Sequence, residues 1–325
     1  MSTLSDCLDY FFLDYPKDDL YWTESAWFSW AIPEKTITGF FYVHFRPNLN
    51  CMLGGPAMWD RHSRHVWQFP YFDWQTMRPL PEGDYGVDYN KYHFETPWSM
   101  STQMLDPLQR YQLLYQHQDF KLDLIFTAIA EPHVLNAKDP QQLKQAFRTH
   151  FEQPGRIQGY VELEGIRHKV DCFSIRDGGH GPRSLESSPP GGYAWCTADP
   201  QNAWHILAPN ASQGHTTPLR AGYLLRDGVM ASLVEGHRKV LQRDGPRPIA
   251  TEIRATDTLG RELLARGEAQ AAAEFMLFPD RGQWWSLYQW QYDDFHSAVG
   301  EDQEYYGIQE FRRWHRAGAE AWKQR

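Results

Sequence analysis

The sequence predicts a mostly β fold, organised as two antiparallel barrel or sandwich domains with a few helices. Short alternating or aromatic-rich runs bounded by Gly, Pro, Asn and Asp recur along the chain, whereas helical periodicity is scarce. The length of 325 residues exceeds the usual size of one domain. Neither a GxGxxG nor a Walker sequence is present, so the pattern does not indicate a parallel nucleotide-binding sheet.

The clearest strand covers Phe120–Ala128, where the even-numbered positions are apolar and the odd-numbered ones are mostly polar. This period of two is typical of a strand with one buried face. Further strands are predicted at residues 39–45, 159–163, 168–176, 194–197, 204–207, 249–257, 271–278 and 284–292. Many short strands of this kind indicate antiparallel barrels or sandwiches.

A helix is predicted over Asp139–Gln153. Asp139 and Pro140 suit its cap and first turn, and apolar residues spaced four apart follow on one face. This helix interrupts the strand pattern, and a new hairpin begins at Gly159. We therefore expect an N-terminal β domain over residues 1–156 and a C-terminal β domain over residues 157–325.

Two further segments complete the predicted organisation. A second helix is expected near the end of the chain, over Gln309–Trp322. The segment Arg176–Gly192 is rich in Gly, Ser and Pro and follows a predicted strand, so it is predicted to be a loop. Such loops often carry binding groups, although a solvent-exposed connection has the same composition.

Composition excludes several classes of protein. The net charge of −9 and the lack of clustered Lys and Arg argue against a nucleic-acid partner. No apolar run approaches the roughly 20 residues that span a bilayer, so we expect no stable membrane insertion. The N-terminus has no basic region, and the four cysteines form no C-x-x-C pair. We expect a cytoplasmic protein without a disulfide framework, and a homodimer is compatible with this description.

The most distinctive feature of the composition is its aromatic content. Phe, Trp and Tyr make up 15% of the chain, and 14 residues are Trp. Large rings could fill wide β-barrels, or they could line a cavity for an apolar ligand. The sequence leaves both alternatives open.

The densest group of ionisable residues covers Arg167–Arg183. In a strand, alternation would place His168 and Arg176 on one face and Asp171 and Asp177 on the other. Asp177 could pair with Arg176 or Arg183, which would keep the carboxylate ionised. An apolar wall would instead raise its pKa towards that of a useful general acid, and the residues alone do not decide between the two.

The same region carries a family resemblance. The pattern Gly159-x-Val161-x-Leu163-x-Gly165, followed by Asp171 and by Arg176-Asp177-x-x-x-Gly181-Pro182-Arg183, resembles the central motif of the hydroxyneurosporene synthase (carotenoid 1,2-hydratase, AttH-like) superfamily, particularly of its uncharacterised bacterial members. The runs 150–153 and 306–310 also resemble family landmarks. Those members usually read Arg-Asp-His-Ser-Trp-Gly-x-Arg, whereas this chain has Gly178, Gly179 and His180 in the middle. His180 could take over the role of the missing motif histidine, or the site could have lost the hydratase chemistry.

The resemblance implies a pair of lipocalin-like barrels with a pocket for a hydrophobic small molecule, and chemistry without a cofactor. Protonating an alkene requires a positioned acid, and aromatic faces in a water-poor cavity stabilise the resulting cation. The candidate catalytic residues are Asp177, Asp171, His180, Glu310 and Arg176. The candidate substrate-binding residues are His168, Arg183, Trp59, Trp285 and Tyr306.

Three functional hypotheses follow. The first is a cofactor-independent enzyme that hydrates, dehydrates, isomerises or cyclises an isoprenoid, terpenoid or steroid-like substrate. The second is a non-catalytic carrier of such ligands, and the third is a structural or interaction protein. The charged cluster could equally be an architectural salt-bridge network. A metal site at His62 and His65 is disfavoured, because flanking arginines would repel a cation.

Overall fold

A computed structural model describes residues 15–88, 93–135, 149–183, 190–209, 216–278, 280–293 and 296–317. The first thirteen strands are β1 (Trp22–Ile32), β2 (Ile37–Arg46), β3 (Cys51–Asp60), β4 (Tyr71–Phe72), β5 (Gln75–Pro79), β6 (Gly86–Asp88), β7 (His93–Glu95), β8 (Met100–Asp106), β9 (Arg110–His117), β10 (Phe120–Ala128), β11 (His133–Val134), β12 (Thr149–Leu163) and β13 (Ile166–Pro182). Short 3-10 turns cover Pro33–Lys35, Pro47–Leu49 and Val66–Gln68.

The remaining elements of the described chain are nine strands and one helix. They are β14 (Gly191–Asp199), β15 (Asn202–Pro209), β16 (Thr216–Pro218), β17 (Ala221–Arg226), β18 (Val229–Asp244), β19 (Arg247–Asp257), β20 (Glu262–Phe278), β21 (Arg281–Tyr292), β22 (His296–Gly307) and the helix α1 (Ile308–Ala317). The predicted mostly β, lipocalin-like fold is confirmed.

The first sheet is antiparallel and places β1, β13 and β12 side by side near its middle. Within the described residues its strand order is β4-β3-β2-β1-β13-β12-β10-β9-β8-β7-β6, with β5 on β3 and β11 on β12. Strand β10 alternates as predicted, with Phe120, Leu122, Leu124 and Phe126 buried. The Phe126 ring meets Phe28 of β1 edge to face at 5.6 Å, so these residues form the core face of the sheet.

Two local predictions in this sheet were wrong. Residues 149–153, expected to end a helix, form the start of β12, while residues 139–148 lie outside the described part of the chain. Residues 176–182, expected to be a loop, belong to β13. The glycines there allow close packing rather than a turn, because a Cβ on Gly178 would lie 2.6 Å from the Phe151 ring.

The second sheet closes into a barrel. Its strands follow the order β18-β17-β15-β14-β22-β21-β20-β19, and β19 pairs with β18 to complete the ring. The interior holds aromatic residues such as Trp204 and Trp290, whose rings meet edge to face at 4.9 Å. Helix α1 packs Phe311 and Trp314 against Trp284. The helix predicted at 309–322 is therefore confirmed for its described part.

The described residues divide into two compact units. The first contains the chain up to Met58 and from Pro70 to the end of β13, and the second contains Trp59–Phe69 and all residues from β14 onwards. The division thus falls between β13 and β14, whereas the boundary predicted after residue 156 lies inside β12. None of the described helices is long and apolar enough to cross a bilayer.

A buried charge network lies inside the barrel of the second unit. Arg238 donates from Nε and Nη2 to the two oxygens of Asp302 at 2.8 and 2.6 Å, and its Nη2 also lies 3.2 Å from Glu304. Arg243 reaches the other Glu304 oxygen at 2.8 Å. Desolvation would lower the pKa of Arg238, but the two carboxylates outweigh it and raise that pKa. Two cations thus balance two anions, as an architectural ion pair requires.

We expect Arg238→Ala to reduce the free energy of unfolding by about 3–5 kcal/mol, because Asp302 and Glu304 would keep uncompensated buried charges. Denaturant unfolding measures the change. The matched control is Arg254→Ala, since the half-exposed Arg254 pairs with Glu252 at 2.7 Å and water screens that pair. Equal losses in the two variants would contradict a structural role for the buried network.

Candidate acid-base site

Two rows of residues cross strands β2, β1, β13 and β12 on one face of the first sheet. Residues directly opposite each other in an antiparallel register lie on the same face. The first row is Tyr42, Trp27, Asp177 and Glu152. The second row, two residues along each strand, is His44, Ser25, Gly179 and His150.

Three titratable groups meet where these rows adjoin. Glu152 lies directly opposite Asp177, and its carboxylate Oε1 is 3.0 Å from Nε2 of His150. One ligand-type atom of each of the three residues lies within 4.8 Å of the others. Glu152 is fully buried, while His150 and Asp177 are partly buried. The residues therefore form a compact acid-base cluster.

Asp177 has the properties of a proton donor at neutral pH. Burial raises its pKa to about 7, and the negative charge of Glu152 acts in the same direction. The positive charges of protonated His150, of Arg183 and of Arg176 oppose this increase without cancelling it. The sequence left open whether arginine keeps Asp177 ionised or whether its pKa is raised. The structure favours a raised pKa, because the carboxyl is desolvated beside a second carboxyl.

His150 has the opposite tendency. Burial lowers its pKa to about 4, so the imidazole is neutral at pH 7. The charge of Asp177 raises that pKa and the charge of Arg183 lowers it. Arg183 itself lies beside His44, with Nη1 3.2 Å from Nδ1. Arg183, predicted to bind substrate, thus acts through its charge on the pKa values of both His150 and Asp177.

Aromatic rings border the cluster on the β2 side. Tyr42 packs against His44 with ring centroids 4.4 Å apart and against Trp74 at 5.6 Å. Trp27, the residue opposite Asp177, is 2% exposed. Acidic groups and π faces thus share one surface of the sheet, a combination suited to stabilising positive charge.

Arg176 and His180 lie on the other face of β13, because alternate residues point to opposite sides of a strand. Arg176 is fully buried there. Its Nε donates to Gln153 Oε1 at 2.6 Å, and its guanidinium lies 4.0 Å from the Tyr111 ring centroid. His180 pairs in register with Glu24. These two candidates share the core face of the first unit rather than the Asp177 cluster.

Asp171 and His168 occupy the opposite end of β13. Asp171 is bound by Arg156 at 2.7 Å and Lys169 at 3.2 Å. Although its limited burial raises its pKa, these hydrogen bonds outweigh that effect and lower it, so the carboxyl stays ionised. Nδ1 of His168 lies 2.7 Å from Nζ of Lys35. Neither residue reaches the cluster at Asp177.

The other four candidates belong to the second unit. Trp59 packs on Phe275 at 5.1 Å, and Nε1 of Trp285 donates to Glu301 at 2.5 Å. Tyr306 donates its hydroxyl hydrogen to Glu304 and packs under helix α1. Glu310 lies in the first turn of that helix. These side chains serve the aromatic packing and polar contacts of their own unit.

The cluster has the ligand types that a metal ion uses, namely one imidazole and two carboxylates. The charge of Arg183 acts on both Asp177 and His150 and would oppose a second cation at the same place. Protonation of one carboxyl removes their repulsion and adds one positive charge, whereas a divalent metal ion would add two. We therefore interpret the cluster as an acid-base site.

Sequence reasoning missed His150 and Glu152 as site residues. The pattern His-x-Glu places both side chains on one face of a strand, but the predicted helix over this segment would have turned them apart. A period of two through residues 150–153 was the available signal. No sequence signal pointed to Trp27, Tyr42 and His44, because the residues that lie near them in the fold are distant in the sequence.

The two β units and this cluster define a two-domain, lipocalin-like protein of the AttH-like fold. The chain belongs to the family described as Domain of unknown function (DUF7064), whose profile matches residues 14–291. No curated protein matches the sequence.

Several solved structures have a similar fold. An AttH protein from Nitrosomonas europaea has a TM-score of 0.55 at 12% identity, covering 90% of this chain and 96% of its own. CghA has a TM-score of 0.57 at 9% identity, covering 88% of both chains. Kievitone hydratase from Nectria haematococca has a TM-score of 0.54 at 8% identity, covering 94% and 93%. At these identities the matches establish the fold alone.

We expect the raised pKa of Asp177 to appear in the pH dependence of stability. An unfolded aspartate titrates near about 4. Between about pH 4 and pH 7 the folded state therefore holds a proton that the unfolded state lacks, and this contribution to stability is lost as pH rises through that window. Asp177→Asn removes it, so wild type should lose more stability than this variant between pH 5 and pH 8.

Denaturant unfolding at the two pH values measures this difference. Asp171→Asn is the matched control, because Asp171 lies on the same strand face but is ionised in both states across that range. The control should keep the wild-type pH dependence. Identical pH dependence in wild type and Asp177→Asn would show that Asp177 titrates normally.

Proposed function

We propose that this protein is an enzyme that uses Asp177 as a general acid on an apolar, isoprenoid, terpenoid or steroid-like substrate. The observation that carries the proposal is the place of Asp177 in the sheet, opposite the buried Glu152 and the Trp27 ring, where burial raises its pKa to about 7. A general acid works best when its pKa lies near the working pH.

The strength of the acid limits the substrate. A carboxyl with a pKa of about 7 is a weak donor, so its partner must accept a proton readily. Conjugated double bonds, enols and hydroxyl leaving groups meet this condition better than an isolated alkene. The reactions that fit are hydration, dehydration, isomerisation and cyclisation of such compounds.

The surroundings of Asp177 support a cationic intermediate. The rings of Trp27, Tyr42 and Trp74 offer π faces on the same side of the sheet, and Glu152 adds a negative charge. Both features stabilise positive charge on a bound hydrocarbon, and the stabilisation is stronger where water is excluded. One protein of this fold is named a hydratase, and CghA has also been crystallised with Sch210972. We expect the reaction to need no cofactor and to occur in the cytoplasm.

Binding is tested first, by quenching of tryptophan fluorescence with retinol, farnesol, squalene and progesterone. Saturable quenching by one or more of these compounds supports a site for apolar ligands. No quenching across the panel would contradict the proposal. Binding without any product would overturn the enzyme in favour of a carrier.

Turnover of the bound compounds is followed by mass spectrometry of the products. We expect Asp177→Asn to reduce kcat by about 10²–10⁴-fold and to leave the binding of the ligand unchanged, because the amide keeps the shape but donates no acidic proton. The wild-type rate should fall as pH rises above about 7, where Asp177 loses its proton. Asp171→Asn should behave as wild type. Full activity in Asp177→Asn would contradict the assignment.

We expect dialysis against EDTA to leave turnover unchanged. The charge of Arg183 opposes a bound cation at the cluster, and the proposed proton transfer needs no metal. Metal content by mass spectrometry and the rate before and after dialysis test this. An activity that is lost on dialysis and restored by Zn²⁺ would show that the three side chains are ligands instead.

A further inference from the structure

A loop of the second unit carries an exposed tryptophan beside two arginines. The loop follows β3 and includes the 3-10 turn Val66–Gln68. Trp67 is 78% exposed, and its ring stacks on His65 with the ring centroids 4.6 Å apart. Arg61 and Arg64 of the same loop are also exposed. The loop therefore presents two cations and an apolar ring to solvent.

Hydrogen bonds within the loop hold this arrangement. Oδ1 of Asp60 accepts from the backbone N–H of His62 at 2.9 Å. Oε1 of Gln68 accepts from the backbone N–H groups of Arg64 and His65, both at 3.0 Å. A loop that is already ordered loses little further conformational entropy when it binds a partner.

Helix α1 lies beside this loop. Glu274 of β20 joins the two elements, because one of its oxygens lies 3.6 Å from Nδ1 of His65 and the other lies 3.2 Å from Nε2 of His315. The aromatic residues of α1 pack on the barrel, whereas Arg312 and Arg316 are exposed one helical turn apart, next to His315. We call the combined area the arginine–tryptophan surface, made of Arg61, Arg64, Trp67, Arg312 and Arg316.

Positive charge prevails on this surface, although the whole chain has a net charge of −9. The nearby Asp244 is bound by Arg247 and lies 3.7 Å from Arg64. Burial raises the pKa of Glu274 to about 7 against the charge of Arg247, so this carboxyl is only partly ionised at neutral pH. The cations Arg61, Arg64, Arg247, Arg312 and Arg316 thus outnumber the carboxyl groups of Asp60, Asp244 and Glu274.

The apolar part of the surface indicates which kind of anionic partner fits. Met276 lies two residues after Glu274 on the same face of β20 and is 52% exposed. The indole ring of Trp67 combines an apolar body with a polar N–H, a combination that is enriched where a bilayer meets water. Arginines beside such a ring suit the headgroups of anionic lipids, whereas the backbone of a nucleic-acid duplex uses the charges alone.

We propose that this protein docks on membranes that contain anionic lipids, with the arginine–tryptophan surface against the bilayer and Trp67 at the level of the headgroups. The docking is peripheral and reversible, and it needs no segment that spans the membrane. It does not depend on Asp177. Apolar compounds of the kind proposed as substrates dissolve in bilayers, so docking brings the protein to them.

The test is sedimentation of the full chain with vesicles of phosphatidylcholine, with and without about 30% phosphatidylglycerol. We expect binding to the mixed vesicles, little binding to phosphatidylcholine alone, and release by salt, which screens the charges. No binding to the mixed vesicles would overturn the proposal. Tighter binding to a single-stranded or duplex oligonucleotide than to these vesicles would overturn it as well.

Two double variants locate the contact. Arg61→Gln/Arg64→Gln and Arg312→Gln/Arg316→Gln should each lower the vesicle partition coefficient about 10-fold, because each removes two cations from the docked surface. Trp67→Ala should lower it about 5-fold through the loss of the apolar contact.

The matched control for charge is Arg254→Gln/Arg266→Gln. This variant also removes two cations, but from ion pairs with Glu252, each at 2.7 Å. It should bind within about 2-fold of wild type. Equal losses in the control and in the two arginine variants of the surface would show that net charge alone drives binding, and would overturn the proposal.

Brominated phosphatidylglycerol tests the orientation, because bromine on the acyl chains quenches only a tryptophan that reaches the bilayer. We expect quenching in wild type and in Trp98→Phe, since Trp98 of the first unit packs under Arg78 at 4.3 Å. Trp67→Phe should still dock but lose the quenching. Quenching that persists in Trp67→Phe would place another face on the membrane and reject this surface. Asp177→Asn should dock as wild type, so that the acid and the docking are tested separately.

Discussion

The candidate site depends on one cross-strand pair, Glu152 and Asp177. The register between β12 and β13 fixes these carboxyls opposite each other on a face where Glu152 is fully buried. Two negative charges in that position repel strongly, since little water screens them. A proton on one of them removes the repulsion, and the raised pKa of Asp177 favours protonation of that carboxyl. Burial is the larger cause of the raised pKa of Asp177, and the charge of Glu152 across the register is the second.

The barrel of the second unit solves a similar problem differently. Asp302 and Glu304 are also buried and close in sequence, but Arg238 and Arg243 lie against them within 2.6–3.2 Å. Both carboxylates there are paired directly with guanidinium groups. The charge of Arg183, by contrast, lowers the pKa of Asp177 without restoring a normal value. The two clusters therefore differ in the partner of the buried carboxylate. It is an arginine in the architectural cluster of the barrel and a second carboxylate in the candidate site.

Sequence reasoning could predict the class of fold because period-two patterns such as Phe120–Ala128 depend on local burial. It could also select Asp177 as a candidate acid. Sequence reasoning failed where one local pattern is compatible with two different structures. Glycines at 178 and 179 were taken as a loop, although Gly178 packs closely against Phe151 and Gly179 pairs with His150 inside the sheet. Apolar residues spaced four apart, ending at Phe151, were interpreted as one face of a helix. The local sequence does not reveal that this segment pairs with β13.

The departure from the family motif can now be interpreted by strand alternation. Positions 178 and 180, which hold His and Trp in the usual motif, point to the core face, away from Asp177. The Phe151 ring fills the space beside Gly178, so no histidine fits there. His180 could replace a group on the core face, but it does not reach the face of the acid. His150 already lies on that face, within 4.8 Å of Asp177. The absence of the motif histidine at position 178 therefore does not alter the cluster of His150, Glu152 and Asp177.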